Sequence, residues 1–289
     1  MRFLSHDWCR LAWTPWAPFK VQHPLFSLLP LGPGVYRVRP VGQSRLVYIG
    51  QTGRSVRGRL GDLCRTTLRN PLIMPFDDPH TAAPSLWALK EAEGMDFECS
   101  GAPVAVPKQV REAMECYLLW QYRLESGEST LCNHGRFHPR YLKSGVRKSG
   151  VVGRRLHDED PINPAGGPSA APLQPQGHPA DSAWAGREWS NLRPLTPRNI
   201  VSIPPRPGLY KLLAAGCQEA LYIGQSRNLR SRLSSHSRKP WRDETVLFSF
   251  SALANNTLPH QLRELENDLI GAYYEQTCKA PVFQFLNHK

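Results

Sequence analysis

Short stretches in which apolar and polar residues alternate, followed by a longer amphipathic segment, occur in the same order in each half of the chain. In the first half this alternation predicts strands over 36–39 and 46–49, and the turn formers between them predict a hairpin. Apolar residues then recur at helical spacing over 55–63, after Ser55, a residue type that favours helix N-caps. Helical spacing returns over 107–124. The remaining predicted elements are a short helix over 85–93, a strand over 97–99 and a short extended piece at Asn133.

The second half predicts the same order of elements in a shorter form. Strands over 209–213 and 220–223 form a hairpin, and Asn228 caps a helix that ends at His236. The remaining predicted elements are a strand over 246–251, a helix over 258–274 and a terminal strand over 282–286. Elements that recur in one order indicate two copies of one domain.

Glycine and tyrosine recur at fixed spacing in both halves. Gly34-Val35-Tyr36 and Tyr48-Ile49-Gly50 match Gly208-Leu209-Tyr210 and Tyr222-Ile223-Gly224, with 174 residues between equivalent tyrosines. Further identical positions are Pro30/Pro204, Pro33/Pro207, Gly42/Gly216 and Gln51/Gln225. Shared apolar positions arise easily between any two strands, but shared glycine, proline and tyrosine at fixed offsets do not. We therefore interpret the chain as an internal duplication.

The repeat divides the chain into four segments. These are a Trp-rich N-terminal arm (1–25), a first domain (26–140), a basic linker rich in proline and glycine (141–197) and a second domain (198–289). The arm is expected to pack on the first domain, with base stacking by its tryptophans as the alternative. The linker is expected to be a solvated spacer, with a phosphate-contacting strap at its basic start as the alternative.

Composition favours an anionic partner. The chain has 36 Lys and Arg against 24 Asp and Glu, a net charge of +12, which suits nucleic acid, although a merely basic soluble protein would have the same balance. Seven cysteines without a C-x-x-C motif fit reduced thiols in the cytoplasm. No apolar run approaches the roughly 18 residues of a membrane span, and the polar start is unlike a secretory signal. A soluble, cytoplasmic protein without a membrane partner is expected.

Both halves resemble the GIY-YIG nuclease family, over about 26–135 and 198–288. The resemblance rests on the paired Gly-x-Tyr and Tyr-Ile-Gly motifs, followed in order by an arginine on a helix, a glutamate on an amphipathic helix and a late asparagine. It implies an α/β fold of the α+β type, in which each small domain has a central antiparallel sheet flanked by helices. It also implies that Mg²⁺, for which Mn²⁺ can substitute, supports hydrolysis of DNA.

The family pattern implies one catalytic set in each copy. In the first copy the matching residues are Tyr36, Tyr48, Arg59, Glu115 and Asn133. In the second they are Tyr210, Tyr222, Arg232, His236, Glu266 and Asn287. The implied metal ligands are Glu115 and Glu266.

The second copy is closer to the family pattern. The first copy has Leu63 where the second has His236, four residues after the arginine. It has one extra residue between Gly50 and Arg59, and a longer middle insert before its glutamate. The first copy is therefore expected to have a modified site or an added recognition loop.

Phosphodiester hydrolysis explains why these residue types occur together. A carboxylate can hold Mg²⁺, which stabilises the leaving oxygen, and an arginine presents permanently charged donors to the phosphoryl oxygens. Tyrosine has an ordinary pKa of about 10, so the site is expected to lower that pKa through the nearby arginine and metal. Either tyrosine of a pair could then accept the proton of the attacking water.

Three functions fit this pattern. The first is a Mg²⁺-dependent DNA endonuclease of restriction or defence type, with two tethered sites that cut both strands and act within a monomer. The second is a structure-specific repair or recombination nuclease. The third, of another class, is a DNA-binding or interaction module in which one or both sites are inactive. The sequence leaves the choice of DNA against RNA and the oligomeric state open.

Overall fold

A computed structural model of the protein describes two compact units of mixed α/β structure, each with antiparallel strands flanked by helices. The described residues are 1–76, 82–145, 150–216, 219–241 and 245–286. The first unit comprises residues 1–111 and 121–168, and the second comprises 112–120 and 169–289. Among the described residues, no helix combines the length and the apolarity that crossing a bilayer requires.

The first unit is built on a four-stranded sheet. The strands of the whole unit are β1 (Ala17–Pro18), β2 (Gly34–Pro40), β3 (Tyr48–Thr52), β4 (Phe97–Pro103), β5 (Tyr141–Leu142) and β6 (Arg154–Arg155). Its helices are α1 (Val56–Leu68), α2 (Ala83–Glu93) and α3 (Lys108–Ser126), of which residues 112–120 belong to the second unit. The main sheet has the antiparallel order β1-β4-β2-β3, and β5 pairs with β6.

The second unit repeats this order. Its strands are β7 (Arg193–Pro194), β8 (Gly208–Ala214), β9 (Ala220–Ser226) and β10 (Val246–Ala252). Its helices are α4 (Pro197–Ile200), α5 (Leu229–His236) and α6 (Pro259–Thr277). The strands form one antiparallel sheet in the order β7-β10-β8-β9, so the predicted hairpins and long helices are confirmed in both halves.

Both predicted N-caps are confirmed. The side chains of Ser55 and Asn228 each accept, at 3.0 Å, the backbone N–H three residues further on. Such caps satisfy one of the N–H groups that a helix leaves without a partner in its first turn. Because the two caps begin α1 and α5 at equivalent positions, Arg59 and Arg232 each lie four residues after the cap.

Apolar side chains of the hairpin and the helix that follows it form the core in each unit. These side chains leave water at alternate strand positions and at helical spacing, as the sequence pattern predicts. The first core includes Tyr36, Val38, Val47, Leu60 and Leu63. The second includes Tyr210, Leu212, Leu221, Leu229 and Leu233.

The N-terminal arm packs on the first sheet around a buried arginine. Trp13 donates its indole N–H to the carbonyl of Trp8 at 2.9 Å, and both rings are buried. The guanidinium of Arg37 on β2 lies 4.2 Å from the ring centroid of Trp13 and donates to the carbonyls of Phe3 and Ser5. The predicted packing role of the arm is therefore confirmed, since burial leaves Trp8 and Trp13 unable to stack on a base.

An equivalent arm precedes the second sheet, where the sequence predicted a spacer. Trp189 donates to the carbonyl of Trp184 at 2.9 Å. Lys211 on β8 lies 4.3 Å from the ring centroid of Trp189 and donates to the carbonyl of Asp181 at 2.9 Å. The interpretation of 141–197 as a solvated spacer is wrong for this part, because its tryptophans cover a sheet face. Proline-rich composition conceals such packing.

Residues 282–286 form turns instead of the predicted terminal strand. The backbone N–H groups of Val282 and Phe283 donate to carbonyls of β9, so the segment begins to pair with the sheet edge. Phe285 then has a φ of 60°, a left-handed conformation that ends extended pairing. The piece around Asn133, predicted to be extended, also lies in a turn.

The buried Lys211 makes stability depend on pH. Burial lowers the pKa of Lys211 from 10.5 to about 7. Between these values the unfolded chain binds more protons than the folded chain, so the free energy of unfolding rises with pH. We expect the unfolding free energy of the native protein, relative to Lys211→Met, to rise by a few kcal/mol, on the order of 1.4 per pKa unit, as pH increases from about 7 to about 10.

Urea denaturation across this pH range measures the difference. The control is Lys239→Met, which replaces an exposed lysine after α5 and should leave the pH dependence unchanged. A constant difference between the native protein and Lys211→Met would contradict the expectation.

Candidate functional site

The motif glycine on the second strand makes room for the motif tyrosine on the first. Tyr210 on β8 lies opposite Gly224 on β9, and Tyr36 on β2 lies opposite Gly50 on β3. A Cβ added to either glycine would meet the ring of the tyrosine opposite it at less than van der Waals distance. The Tyr-Ile-Gly motif therefore has a packing cause, because each buried ring lies across bare backbone.

A buried hydroxyl joins a strand and a helix in the second copy. The Tyr210 side chain is fully buried, and its hydroxyl shares a hydrogen bond of 2.9 Å with Nε2 of His236. It also accepts a hydrogen bond from Nε of Arg232 at 3.1 Å. Arg232 and His236 lie four residues apart on α5, a spacing that puts both side chains on one helix face. The helix therefore brings a charged group and an imidazole to the same strand tyrosine.

The second tyrosine completes an aromatic group. The rings of Tyr210 and Tyr222 stack with centroids 6.1 Å apart, and the His236 ring lies 5.3 Å from each. Tyr222 keeps part of its surface accessible, whereas Tyr210 does not. The two tyrosines are thus not equivalent, and only Tyr222 could meet a substrate directly.

Glu266 on α6 adds a carboxyl group to this site. Burial raises its pKa from 4.5 to about 7, although a backbone N–H of Gln225 and the charge of Arg232 act in the opposite direction. Burial raises the pKa of Tyr222 and the negative charge of Glu266 raises it further, so the carboxyl and the hydroxyl are close enough to interact. The structure therefore brings together the five predicted residues Tyr210, Tyr222, Arg232, His236 and Glu266.

Arg232 alone does not produce the expected lowering of the tyrosine pKa. Burial raises the pKa of both Tyr210 and Tyr222, and this effect exceeds the opposing effect of Arg232. Removing water from a phenol disfavours its charged form, and one arginine does not reverse that cost here. Both hydroxyls therefore stay protonated at neutral pH.

The first copy keeps the paired tyrosines but changes the helix. The rings of Tyr36 and Tyr48 lie 6.0 Å apart with an interplanar angle of 53°. Leu63, which is buried, takes the position of the second copy's histidine. Arg59 lies on α1 in the first unit, whereas Glu115 lies in the part of α3 that belongs to the second unit.

Asn133 has a structural role. Its side-chain oxygen accepts the backbone N–H of Ile49 at 3.0 Å, and its amide donates to the Ile49 carbonyl at 2.8 Å. In the second copy the Gln284 side chain accepts the N–H of the equivalent Ile223 at 3.1 Å. Gln284 therefore takes this position, while Asn287, matched by sequence, lies outside the described residues.

Sequence reasoning missed Gln225 and Gln284. Gln225 contributes a backbone N–H to the carboxyl of Glu266, and a backbone group leaves no signal in the sequence. Gln284 could have been found by spacing: the glutamates Glu115 and Glu266 lie 151 residues apart, and so do Asn133 and Gln284.

A single carboxylate is available for a cation in the second copy's site. Among the residues that the structure describes, no group of three or more His, Cys, Asp or Glu side chains could hold a metal. Glu266 is only partly exposed, and burial is the main influence on its pKa. Mg²⁺ accepts such a donor when water and substrate oxygens complete its shell, so the residues present fit this ion.

No family model, curated protein or solved structure matches this chain. Function must therefore be argued from the site, since a fold alone does not define one. The hydrogen bonds of the Tyr210 hydroxyl with Arg232 and His236 are the strongest indication of function in this site.

We expect Gly224→Ala to destabilise the protein. The added methyl group would overlap the ring of Tyr210, which is packed in the core and cannot move without disturbing it. Overpacking of this kind costs about 1–3 kcal/mol. Thermal denaturation measures the change. The matched control is Gly32→Ala, where no heavy atom lies within 4 Å of the new Cβ; equal stability of the two variants would contradict the packing argument.

Glu266 should make stability fall as pH rises. The folded chain binds more protons than the unfolded chain between the ordinary carboxyl pKa of 4.5 and the folded value of about 7. The protonated Glu266 carboxyl therefore stabilises the fold at low pH, and this contribution is lost as pH rises from 4.5 to about 7. Relative to Glu266→Gln, we expect the native unfolding free energy to fall by on the order of 1–3 kcal/mol and then level off.

Urea denaturation between pH values on either side of this window checks the expectation. Glu275→Gln replaces an exposed carboxyl on the same helix and is the control. A difference between the native protein and Glu266→Gln that stays flat with pH would show that the Glu266 carboxyl is not perturbed.

Proposed function

We propose that the protein is a Mg²⁺-dependent DNA endonuclease of the GIY-YIG type, and that its second copy carries the more complete site. The observation that carries the proposal is the joining of Arg232 and His236 to the buried hydroxyl of Tyr210, with Glu266 beside them. A strand tyrosine alone is usually a packing residue. A cation, an imidazole and a perturbed carboxyl around it are what a hydrolytic site requires.

Arg232 is the group that would bind the scissile phosphate. Arg232 is exposed to solvent, but its Nε donates a hydrogen bond to the hydroxyl of Tyr210. This contact fixes the direction of the remaining guanidinium donors. Planar donors of this kind form paired hydrogen bonds with phosphoryl oxygens. The charge that develops on those oxygens during hydrolysis makes the contact stronger in the transition state than in the ground state.

The two tyrosines would have different roles. Tyr210 is buried and orients Arg232, so it acts as a positioning residue. Tyr222 is the accessible hydroxyl and would position the attacking water or accept its proton at Oη. Because burial raises the pKa of Tyr222, its hydroxyl is a phenol in the protein by itself, and the positive charge of a bound cation would favour its deprotonation.

Glu266 would hold the metal ion. When bound, Mg²⁺ supplies Lewis-acid stabilisation of the leaving oxygen. The raised pKa of Glu266 means that binding a cation would release a proton near neutral pH. The backbone N–H of Gln225 would keep the Glu266 carboxylate oriented.

Further exposed basic residues accompany Arg232 in the chain and would contact neighbouring phosphates. They lie on α5 and at its ends, and phosphate contacts of this kind bind DNA without reading sequence. These residues are Arg227, Arg230, Arg238 and Lys239. The overall charge of +12 agrees with such a partner.

Leu63 supports a second candidate function for the first copy. A leucine in the place of His236 cannot hydrogen-bond the hydroxyl of Tyr36, so the first copy would lack one polar contact of the second. An inactive first copy would then serve as a DNA-binding module, and the enzyme would nick a single strand. Two active copies would cut both strands within one monomer.

Cleavage of supercoiled plasmid in the presence of Mg²⁺ tests the proposal. We expect Glu266→Ala to remove the cleavage due to the second site, by at least about 100-fold. Glu115→Ala distinguishes the two candidates: nicked circles from each single variant indicate two active sites, and unchanged product from Glu115→Ala indicates an inactive first copy. The control is Glu128→Gln, an exposed glutamate after α3.

A substrate panel completes the test. Duplex, flapped and branched DNA separate a restriction-type enzyme from a structure-specific repair nuclease. Intact substrates throughout the panel, with either Mg²⁺ or Mn²⁺, would overturn the proposed endonuclease activity. Cleavage that survives the Glu115→Ala, Glu266→Ala double variant would show that other residues perform it.

A further inference from the structure

A cavity of about 360 Å³ lies in the second unit, on residues that the proposed nuclease site does not use. One wall is the segment from Ala170 to Gln174, and the other is formed by the arm residues Ala185 to Arg187. The volume is within the range of pockets that bind small molecules. The remaining lining residues are Leu253, Thr257, Gln261 and Leu265.

One wall of this cavity is fixed by buried carboxylates. The backbone N–H of Ala170 donates to Glu264 at 2.7 Å, and that of Leu173 donates to Asp268 at 3.0 Å. Both acidic side chains are buried on α6. The segment from Ala170 to Gln174, which the sequence predicted to be solvated, is therefore hydrogen-bonded to α6. These bonds give the cavity a rigid wall.

Arg187 places a cation in the lining of the cavity. Its Nη2 donates to the hydroxyl of Ser251 at 3.2 Å. In the described part of the chain, no carboxylate forms an ion pair with Arg187, and no acidic side chain lines the cavity. The Arg187 side chain is half-buried, and burial lowers its pKa although the charge of Glu188 partly opposes this. A bound anion would stabilise a guanidinium that has lost part of its hydration through burial.

The N-terminus of α6 adds a partial positive charge to that of Arg187 at the cavity. Thr257 and Gln261, which flank the helix start at Pro259, line the cavity. The N-terminus of a long helix carries a partial positive charge that favours anions. Leu253 and Leu265 provide an apolar surface beside these polar groups. A ligand with one charged end and a small organic body would match this lining.

We propose that this cavity binds a small organic oxyanion, a phosphate monoester or a carboxylate, through the guanidinium of Arg187. The site is particular to the second copy. Trp8 and Trp13 match Trp184 and Trp189, so the position of Arg187 corresponds to Leu11, which cannot bind an anion. A cation therefore occupies this position in one copy only.

Titration calorimetry without metal tests the proposal on the full chain. The probes are inorganic phosphate, adenosine 5′-monophosphate and citrate, with uncharged adenosine as the comparison at matched ionic strength. We expect saturable binding of at least one anion, and a loss of affinity of at least about tenfold in Arg187→Met. Binding of the monophosphate without citrate identifies a phosphate site, and the reverse identifies a carboxylate site.

Two further variants make the test specific. Arg193→Met is the matched control, because Arg193 is also half-buried and donates to a serine hydroxyl at 3.2 Å but lies outside the cavity. If Arg187→Met does not fold, Ala171→Trp, at an exposed lining residue, blocks the cavity and should abolish binding. The proposal is overturned if no anion binds saturably, or if Arg187→Met and Ala171→Trp bind as tightly as Arg193→Met.

Discussion

A tyrosine ring that lies across a glycine on the neighbouring strand is the constraint on which each unit depends. Tyr210 covers Gly224 and Tyr36 covers Gly50, so a side chain at either glycine would overlap the ring opposite it. Each ring is thereby directed into the core of its unit. In the second copy this places the Tyr210 hydroxyl within reach of α5, and the polar contacts of the site follow from that position.

Burial decides whether a cation of this protein supports the fold or can reach a ligand. Arg37 and Lys211 are buried among tryptophans and donate to backbone carbonyls, so their hydrogen bonds hold the arms on the sheets. Arg232 keeps its guanidinium at the surface, where a phosphate could reach it. Arg187 lies between these extremes. Charge composition alone counts all four equally, although only the last two are available to a ligand.

The hairpins, their caps and the long helices could be predicted because their signals are local. Ser55 and Asn228 cap the helices they precede, and apolar spacing identifies α3 and α6 without knowledge of the rest of the chain. The arm before the second sheet could not be predicted in this way. Trp184 is buried against a strand that follows it in the sequence, and proline-rich composition hides such long-range contacts.

The sequence by itself determined the duplication and the tyrosine, arginine and glutamate positions, since side-chain identity at fixed spacing requires no folding. Only the tertiary structure decided which tyrosine is accessible and how the titrating groups behave. Tyr222 keeps contact with solvent while Tyr210 loses it, and burial raises the pKa of Glu266 to about 7. Both results depend on removing water, and the number of water molecules around a group is a property of packing that no residue carries alone.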